Sequence, residues 1–410
     1  MQASLIPGQV DARPLLTRGM VAVLIAQFLS ALADNALLFA AIALLRSQTA
    51  PAWQLPLLQE FFVLAFILLA PFVGPFADSL PKGRVMMLAN SMKFIGAAGM
   101  LCGLNPLLAY AMVGLGAAAY SPAKYGILCE LVSTDKLVKA NSMMEGSTIV
   151  AILLGAVLGG WLAGQSVQGA LMAITTCYLL AALINLLIPR LPAAHPLQQL
   201  SVKALLKDFL IALRTLFGNA DARFSLLGTS IFWGAGSTLR FLLVAWVPAT
   251  LLITDNAQAL STAANLSGVV AIGIAVGAAA AARYVTLATV NRALPAGLLI
   301  GGLIMAFSLV DQLSLAITLL IITGACGGFY VVPLNALLQE RGHESVGAGH
   351  AIAVQNLCEN FCMLGMLGMY TLMHKQGASI STSTLAVGAV VLVAISVLSF
   401  ARWRAAGRNA

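Results

Sequence analysis

Apolar residues run along this chain in long, nearly uninterrupted blocks, and almost none of them shows the stripes of a helix with one wet face. Twelve blocks can be drawn, at about 20–45, 55–78, 84–104, 106–130, 140–164, 168–190, 223–252, 263–284, 292–310, 313–338, 349–373 and 380–401. Each is close to or above the roughly 20 residues that carry a helix across a bilayer core of about 30 Å. Helix is the expected conformation, because lipid offers no partners to backbone groups and nothing here alternates with the period of two of a barrel strand. The blocks fall six and six around a connection at about 190–222. Within it, residues 197–217 are striped: Val202, Leu205, Leu206, Phe209, Leu213 and Leu216 recur at helical spacing, with Lys203, Lys207 and Arg214 opposite. That helix is expected either to lie on the inner leaflet, cations toward lipid phosphates, or to act as a plain linker.

Composition points the same way. Of 410 residues, 60% are apolar and 9% charged, with a mean hydropathy of +0.95. Soluble proteins carry about 25% charged residues, and no soluble fold of this size hides so much apolar surface. A cytosolic enzyme, a disulfide-stapled secreted domain and a nucleic-acid binder are excluded together. The net charge of +8 is a sorting signal. With both termini cytoplasmic, 17 of the 22 Lys and Arg lie on the cytoplasmic side, against Arg46 and Lys375 opposite. Basic cytoplasmic loops favour that orientation. Residues 1–18 lack the layout of a signal peptide. The expected organisation is a tail at 1–18, a six-helix bundle at 19–190, a linker at 191–222, a second bundle at 223–401 and a tail at 402–410.

An ionised side chain at the bilayer centre costs about 2.5–3.5 kcal/mol on insertion scales, so charges inside the blocks are functional candidates. Asp34 lies roughly 21 Å along the first block and Arg240 roughly 24 Å along the seventh, at 1.5 Å per helical residue. Both depths are near the midplane, at corresponding places in the two halves. The two are expected to pair with each other or to divide between the charges of a zwitterionic ligand. Nearer the cytoplasm, Lys124 and Glu145 stand where neighbouring helices bring them together as a gate, a bridge or a ligand contact. Lys93 and Glu359 read as packing charges or a gating pair. Gln27, Asn35, Asn335, Gln355, Asn356 and Asn360 add polar groups that equally serve to bond helix to helix.

A repeat is visible in Gly114, Tyr120 and Glu130, which recur 210 residues later as Gly324, Tyr330 and Glu340. Corresponding halves with a site between them are a common transporter design. Gly155 with Gly159, Gly160 with Gly164, Gly273 with Gly277 and Gly297 with Gly301 predict close helix contacts. Six cysteines show no paired spacing and read as small core residues. There is no Walker A loop and no HExxH, and the four histidines are scattered, so neither catalysis, ATP-driven transport, a metal nor a cofactor is expected.

Residues 74–84 (GPFADSLPKGR) resemble the signature loop of the major facilitator superfamily, with Ser79 in place of the expected base and the Gly-Arg one residue late. The equivalent loop of the second half keeps Gly277 but has Ala281 at the acidic position. Residues 26–39 (AQFLSALADNALLF), 118–128 (AAYSPAKYGIL), 232–241 (FWGAGSTLRF), 331–341 (VVPLNALLQER) and 351–360 (AIAVQNLCEN) are similar to the bacterial lysophospholipid transporters of that superfamily. The resemblance implies an all-α membrane protein of twelve transmembrane helices in two pseudo-symmetric six-helix bundles, with spans one, four, seven and ten lining the cavity. Asp34, Lys124, Arg240 and Asn335 lie on those spans and, with Asn35, form the expected substrate site. Asp78, Lys82 and Arg84 are expected to bridge in one conformation and part in the other, with Glu145, Lys93 and Glu359 as further conformational charges. It further implies an inner-membrane protein that moves lysophosphatidylethanolamine and lysophosphatidylglycerol to the cytoplasmic leaflet, where an acyltransferase that is also an acyl-carrier-protein synthetase restores the missing chain. A proton-coupled exporter of amphipathic molecules and a non-transporting lipid sensor or scaffold are the alternatives on the same scaffold.

Overall fold

The computed structural model describes residues 15–132, 134–189 and 201–407. The first bundle comprises α1 (Arg18–Ser47), α2 (Leu57–Ser79), α3 (Lys82–Leu101), α4 (Pro106–Leu131), α5 (Thr134–Gln165) and α6 (Val167–Asn185). A linking helix, α7 (Val202–Gly218), follows. The second bundle comprises α8 (Ala220–Thr250), α9 (Asn256–Tyr284), α10 (Leu294–Phe307), α11 (Leu313–Ser345), α12 (Ala348–Lys375) and α13 (Ile380–Gly407). Every apolar block has become one helix. Among the described residues, nine helices are long and apolar enough by themselves to cross a membrane. The other three bundle helices, α3, α4 and α12, have 20, 26 and 28 residues. They are less apolar because they carry Asn90 and Lys93, Lys124, and Gln355 and Glu359.

The helices overrun the blocks where polar residues cap them outside the apolar zone. α9 starts at Asn256 rather than near 263, because the Asp255 carboxylate accepts from the backbone N–H groups of Ala257 and Gln258 at 3.1 and 3.3 Å. Asn219 does the same for α8, accepting from Asp221 and Ala222. Such caps satisfy helix-start donors that have no partner within the helix.

The two halves repeat each other's packing. α1 lies against α5 and α6, α2 against α4, and α3 against α4 and α6; in the second half α8 lies against α12 and α13, α9 against α11, and α10 against α11 and α13. The small residues of the repeat mark equivalent contacts. A side chain at Gly114 would collide with the Phe62 carbonyl of α2, and one at Gly324 with the Val270 carbonyl of α9. Backbones approach this closely only where no Cβ intervenes.

α7 is amphipathic as expected, with its faces turned slightly. Phe209, Ala212 and Leu216 are buried with Ala70 of α2, Leu226 of α8, Leu338 of α11 and Val354 of α12, so the linker helix touches both halves. Val202 and Leu206, both expected inward, are exposed, and Leu206 lies with Leu210, Ile211, Lys203, Lys207 and Arg214. One side of the bundles carries the ends of α1 and α13 where the chain enters and leaves; the opposite side is where the halves meet through polar groups. There Arg46 of α1 donates to the Val244 carbonyl of α8 at 3.2 Å, Thr371 of α12 donates to Glu60 of α2 at 2.6 Å, and the Lys375 ammonium stands 4.8 Å over the Trp53 ring. On the same side, Gly160 and Gly164 of α5 admit Ala264 and Ala257 of α9. The halves are therefore sealed on the side away from the termini.

The Cβ that Gly164 lacks would stand 3.5 Å from the Cβ of Ala257, the spacing of a disulfide. A Gly164→Cys/Ala257→Cys chain, oxidised and then cut at a protease site placed in the connection at 190–200, is expected to migrate as one species until reduced. Two pieces before reduction would count against the seal.

Candidate functional site

The densest polar cluster described in the bundle interior belongs entirely to the first half. Asp34, midway along α1, accepts from the Lys93 ammonium of α3 at 2.7 Å through Oδ2 and from the Tyr178 hydroxyl of α6 at 2.8 Å through Oδ1. Lys93 also donates to Ser30 Oγ, one turn back from Asp34, at 3.0 Å, and Ser30 donates to Asn90 Oδ1 at 2.7 Å. The ammonium stands 5.1 and 5.8 Å from the Tyr120 and Tyr178 ring centroids, where the negative faces of the rings attract it. The Lys93 side chain is 1% exposed and that of Asp34 is 23% exposed. The carboxylate thus shows one edge to the interior space while its counter-ion sits behind it.

Arg240 lies on α8, across the interface between the halves. It is half-buried, and among the described residues its guanidinium makes no hydrogen bond or ion pair. The expected Asp34–Arg240 pair is therefore corrected: a lysine one helix away reaches the carboxylate first and leaves the arginine open. Lys124 is buried on α4, its ammonium 4.4 Å from the Tyr125 ring centroid. Asn35 spends its amide N–H on the Ala31 carbonyl of its own helix at 2.9 Å.

The second half has a network of its own. Gln355 of α12 donates to Asn335 of α11 and to Glu359 of α12, both at 2.8 Å. Glu359 is buried, and Gln355 is its hydrogen-bond donor. Lys93 and Glu359 thus form no pair with each other; each is absorbed in its own bundle. Gln27 donates to Thr148 of α5 at 2.7 Å, joining helices as such residues do in membranes.

On the terminus side, Lys82 pairs with Glu130 of α4 at 2.6 Å, and Arg84 is exposed. The side chains of Asp78 and Glu145 lie outside the described residues. Where the second half has Ala281, its bracing comes from elsewhere: Asp221 accepts from Arg341 of α11 at 3.0 Å and from Arg402 of α13.

Sequence reasoning missed Ser30, Asn90, Tyr120 and Tyr178 as the surroundings of Asp34. Two local signals were present, since Ser30 precedes Asp34 by four residues and Asn90 precedes Lys93 by three, placing each pair on one helix face. Tyr178 lies 144 residues from its partner, and nothing local announces it. Lys93→Met leaves the carboxylate without its counter-ion and is expected to cost on the order of 2 kcal/mol, less than for a fully buried pair because Asp34 is partly wet. Asp34→Asn/Lys93→Met together is expected to recover most of it, read as the thermal midpoint in detergent. Equal losses in the single and double variants would deny the coupling.

The family model described as the Major Facilitator Superfamily matches residues 23–366. The curated lysophospholipid transporter LplT of Escherichia coli O1:K1 / APEC is 56% identical over 382 residues, covering 93% of this chain and 95% of the relative. That of Yersinia pestis (strain Pestoides F) is 58% identical over 368 residues, 90% of each. Among solved structures, a bacterial homologue of the human lysosomal transporter Spinster, inward-facing and unoccupied, has a TM-score of 0.71 at 15% identity, covering 95% of this chain and 98% of that one. A POT family transporter in complex with 5-aminolevulinic acid has a TM-score of 0.72 at 12% identity, covering 93% and 95%. These two share the fold alone. The relatives are transporters and not enzymes, and the chain belongs to the major facilitator superfamily and, within it, to the family of the bacterial lysophospholipid transporters.

Proposed function

We propose that this protein flips lysophospholipids, among them lysophosphatidylethanolamine and lysophosphatidylglycerol, from the periplasmic to the cytoplasmic leaflet of a bacterial inner membrane. Identity above one half over nine-tenths of the chain to lysophospholipid transporters carries the reading. The site chemistry supports it. A lysophospholipid head group always bears a phosphate, and Arg240 offers an unpaired planar fork that suits a phosphate bidentately. The exposed edge of Asp34 is placed to accept an ammonium where the head group has one. Lys124, nearer the terminus side, is a second cation for the phosphate to meet on its way. Both termini are cytoplasmic in this reading, as the basic excess demands, and the outward Lys203, Lys207 and Arg214 of α7 face lipid phosphates. An acyltransferase that is also an acyl-carrier-protein synthetase then reacylates the product.

A proton-driven exporter would need an interior acid free to exchange its proton. Asp34, engaged by Lys93 and Tyr178, suits that role poorly.

Proteoliposomes holding only this protein are expected to move acyl-radiolabelled lysophosphatidylethanolamine between leaflets without an imposed gradient. Loss of a charge-assisted phosphate contact in Arg240→Ala is expected to slow this about tenfold or more. Binding without movement would make the protein a sensor, and movement only under a proton gradient would make it a coupled exporter.

A further inference from the structure

Within the lipid-transport reading, the position of Lys93 carries a consequence for selectivity. Its ammonium sits among one carboxylate oxygen at 2.7 Å, one hydroxyl at 3.0 Å and two tyrosine faces at 5.1 and 5.8 Å. That combination of a carboxylate, a hydroxyl oxygen and aromatic faces is one that recognises a primary ammonium. The protein has filled it with an ammonium of its own, on a side chain 1% exposed. Both oxygens of Asp34 already have partners, and the pair as a unit is neutral. Arg240, across the interface, has neither hydrogen bond nor ion pair among the described residues.

We infer that Lys93 sets head-group selectivity: it is a tethered ammonium that keeps Asp34 neutralised, so the site accepts a phosphate-bearing head group with or without an ammonium of its own. The phosphate is the required element, because Arg240 is the unmatched charge. The ammonium is optional, because its place is already occupied. A zwitterionic phosphoethanolamine can share the exposed edge of Asp34. An anionic phosphoglycerol meets no uncompensated carboxylate and is not repelled. Without Lys93, Asp34 would be a negative charge without its counter-ion, in an interior where like-charge repulsion is screened less than in bulk water. The anionic head would then be turned away and the ammonium-bearing head would be drawn in.

Lys93 reaches the ligand through Asp34, so it is a positioning residue, and the readout must separate selectivity from folding. The experiment compares transport of acyl-radiolabelled lysophosphatidylethanolamine and lysophosphatidylglycerol in proteoliposomes, expressed as the ratio of the glycerol to the ethanolamine lipid. Lys93→Met is expected to lower that ratio about tenfold, the size of one charge-assisted contact. Asp34→Asn, which leaves Lys93 uncompensated, is expected to raise it. Asp34→Asn/Lys93→Met, which removes both charges, is expected to hold the ratio near or above that of the wild type while still moving the glycerol lipid. The double variant keeps the test sound if Lys93→Met alone does not fold, because it buries no unpaired charge. Variants that slow both lipids in equal proportion, or a double variant that loses the glycerol lipid as deeply as the other, would overturn the inference alone. A wild type that moves neither lipid would overturn the transport reading and this inference with it.

Discussion

An ionised side chain surrounded by hydrocarbon has to be solvated by the protein itself, and the middle of this molecule is arranged around that requirement. Lys93 is buried as deeply as any core leucine, which is tolerable only because a carboxylate, a hydroxyl and two aromatic faces surround it. Those partners come from three other helices. Asp34 and Ser30 lie on α1, Lys93 and Asn90 on α3, Tyr120 on α4 and Tyr178 on α6, so satisfying one charge fixes the relative positions of four elements. Glu359 plays the comparable part in the second half, held by Gln355, which also reaches Asn335 and so links α12 to α11. Arg240 is the exception. It is half-buried and, among the described residues, without a hydrogen bond or ion pair, which is why the proposed reading puts the phosphate there.

Around those polar centres the rest is close packing. Hydrocarbon does not drive helices together as water does, so contact area and backbone proximity have to supply the attraction. The glycines at corresponding places, Gly114 against Phe62 and Gly324 against Val270, show the same solution used once in each half. The two bundles therefore resemble each other in how they hold together while differing in their charges. Asp34 and Arg240 stand at corresponding places in the chain's two halves with opposite signs, a difference that an exact repeat would lack.

Much of the fold could be read from the chain, and the reason is the bilayer. A lipid-spanning helix needs a fixed length of apolar residues, so the blocks announced all twelve bundle helices to within a few residues at most ends. The same uniformity hid the interior. A helix that is apolar on every side carries no stripe to say which face points inward, so the azimuth of Asp34, and with it the choice of Lys93 over Arg240 as partner, was not encoded in any local pattern. α7 supports this account from the other direction: it has a clear stripe, and Phe209 and Leu216 at its centre were legible, while Val202 and Leu206 at its edge lie outward and Ala212 is buried in their stead. The terminus-side loop was read only partly. Its charges were recognised, but Glu130, which Lys82 meets, lies 48 residues along the chain.

Two halves that rock against each other must break some bonds and keep others, and the distribution of polar groups decides which. The Asp34–Lys93–Tyr178 cluster lies wholly in the first half and the Glu359–Gln355–Asn335 network wholly in the second. Neither has to open when the halves move, so no buried charge is stripped of its partner in transit. The polar links that do cross among the described residues are the Arg46 bond to the Val244 carbonyl, the Thr371 bond to Glu60 and the contact of Lys375 with Trp53. Each involves an arginine, a carboxylate or an ammonium near an end of its helix, where water can replace the lost partner at small cost. Among the described residues the remaining contact between halves runs chiefly along α5 with α9 and α2 with α12, and close approaches such as Gly160 to Ala264 can separate and re-form without leaving an unsatisfied donor. A head group whose phosphate lies on Arg240 of one half while its other end meets Asp34 of the other would be the one charged element that spans the gap, and it would tie the movement of the halves to the presence of the lipid.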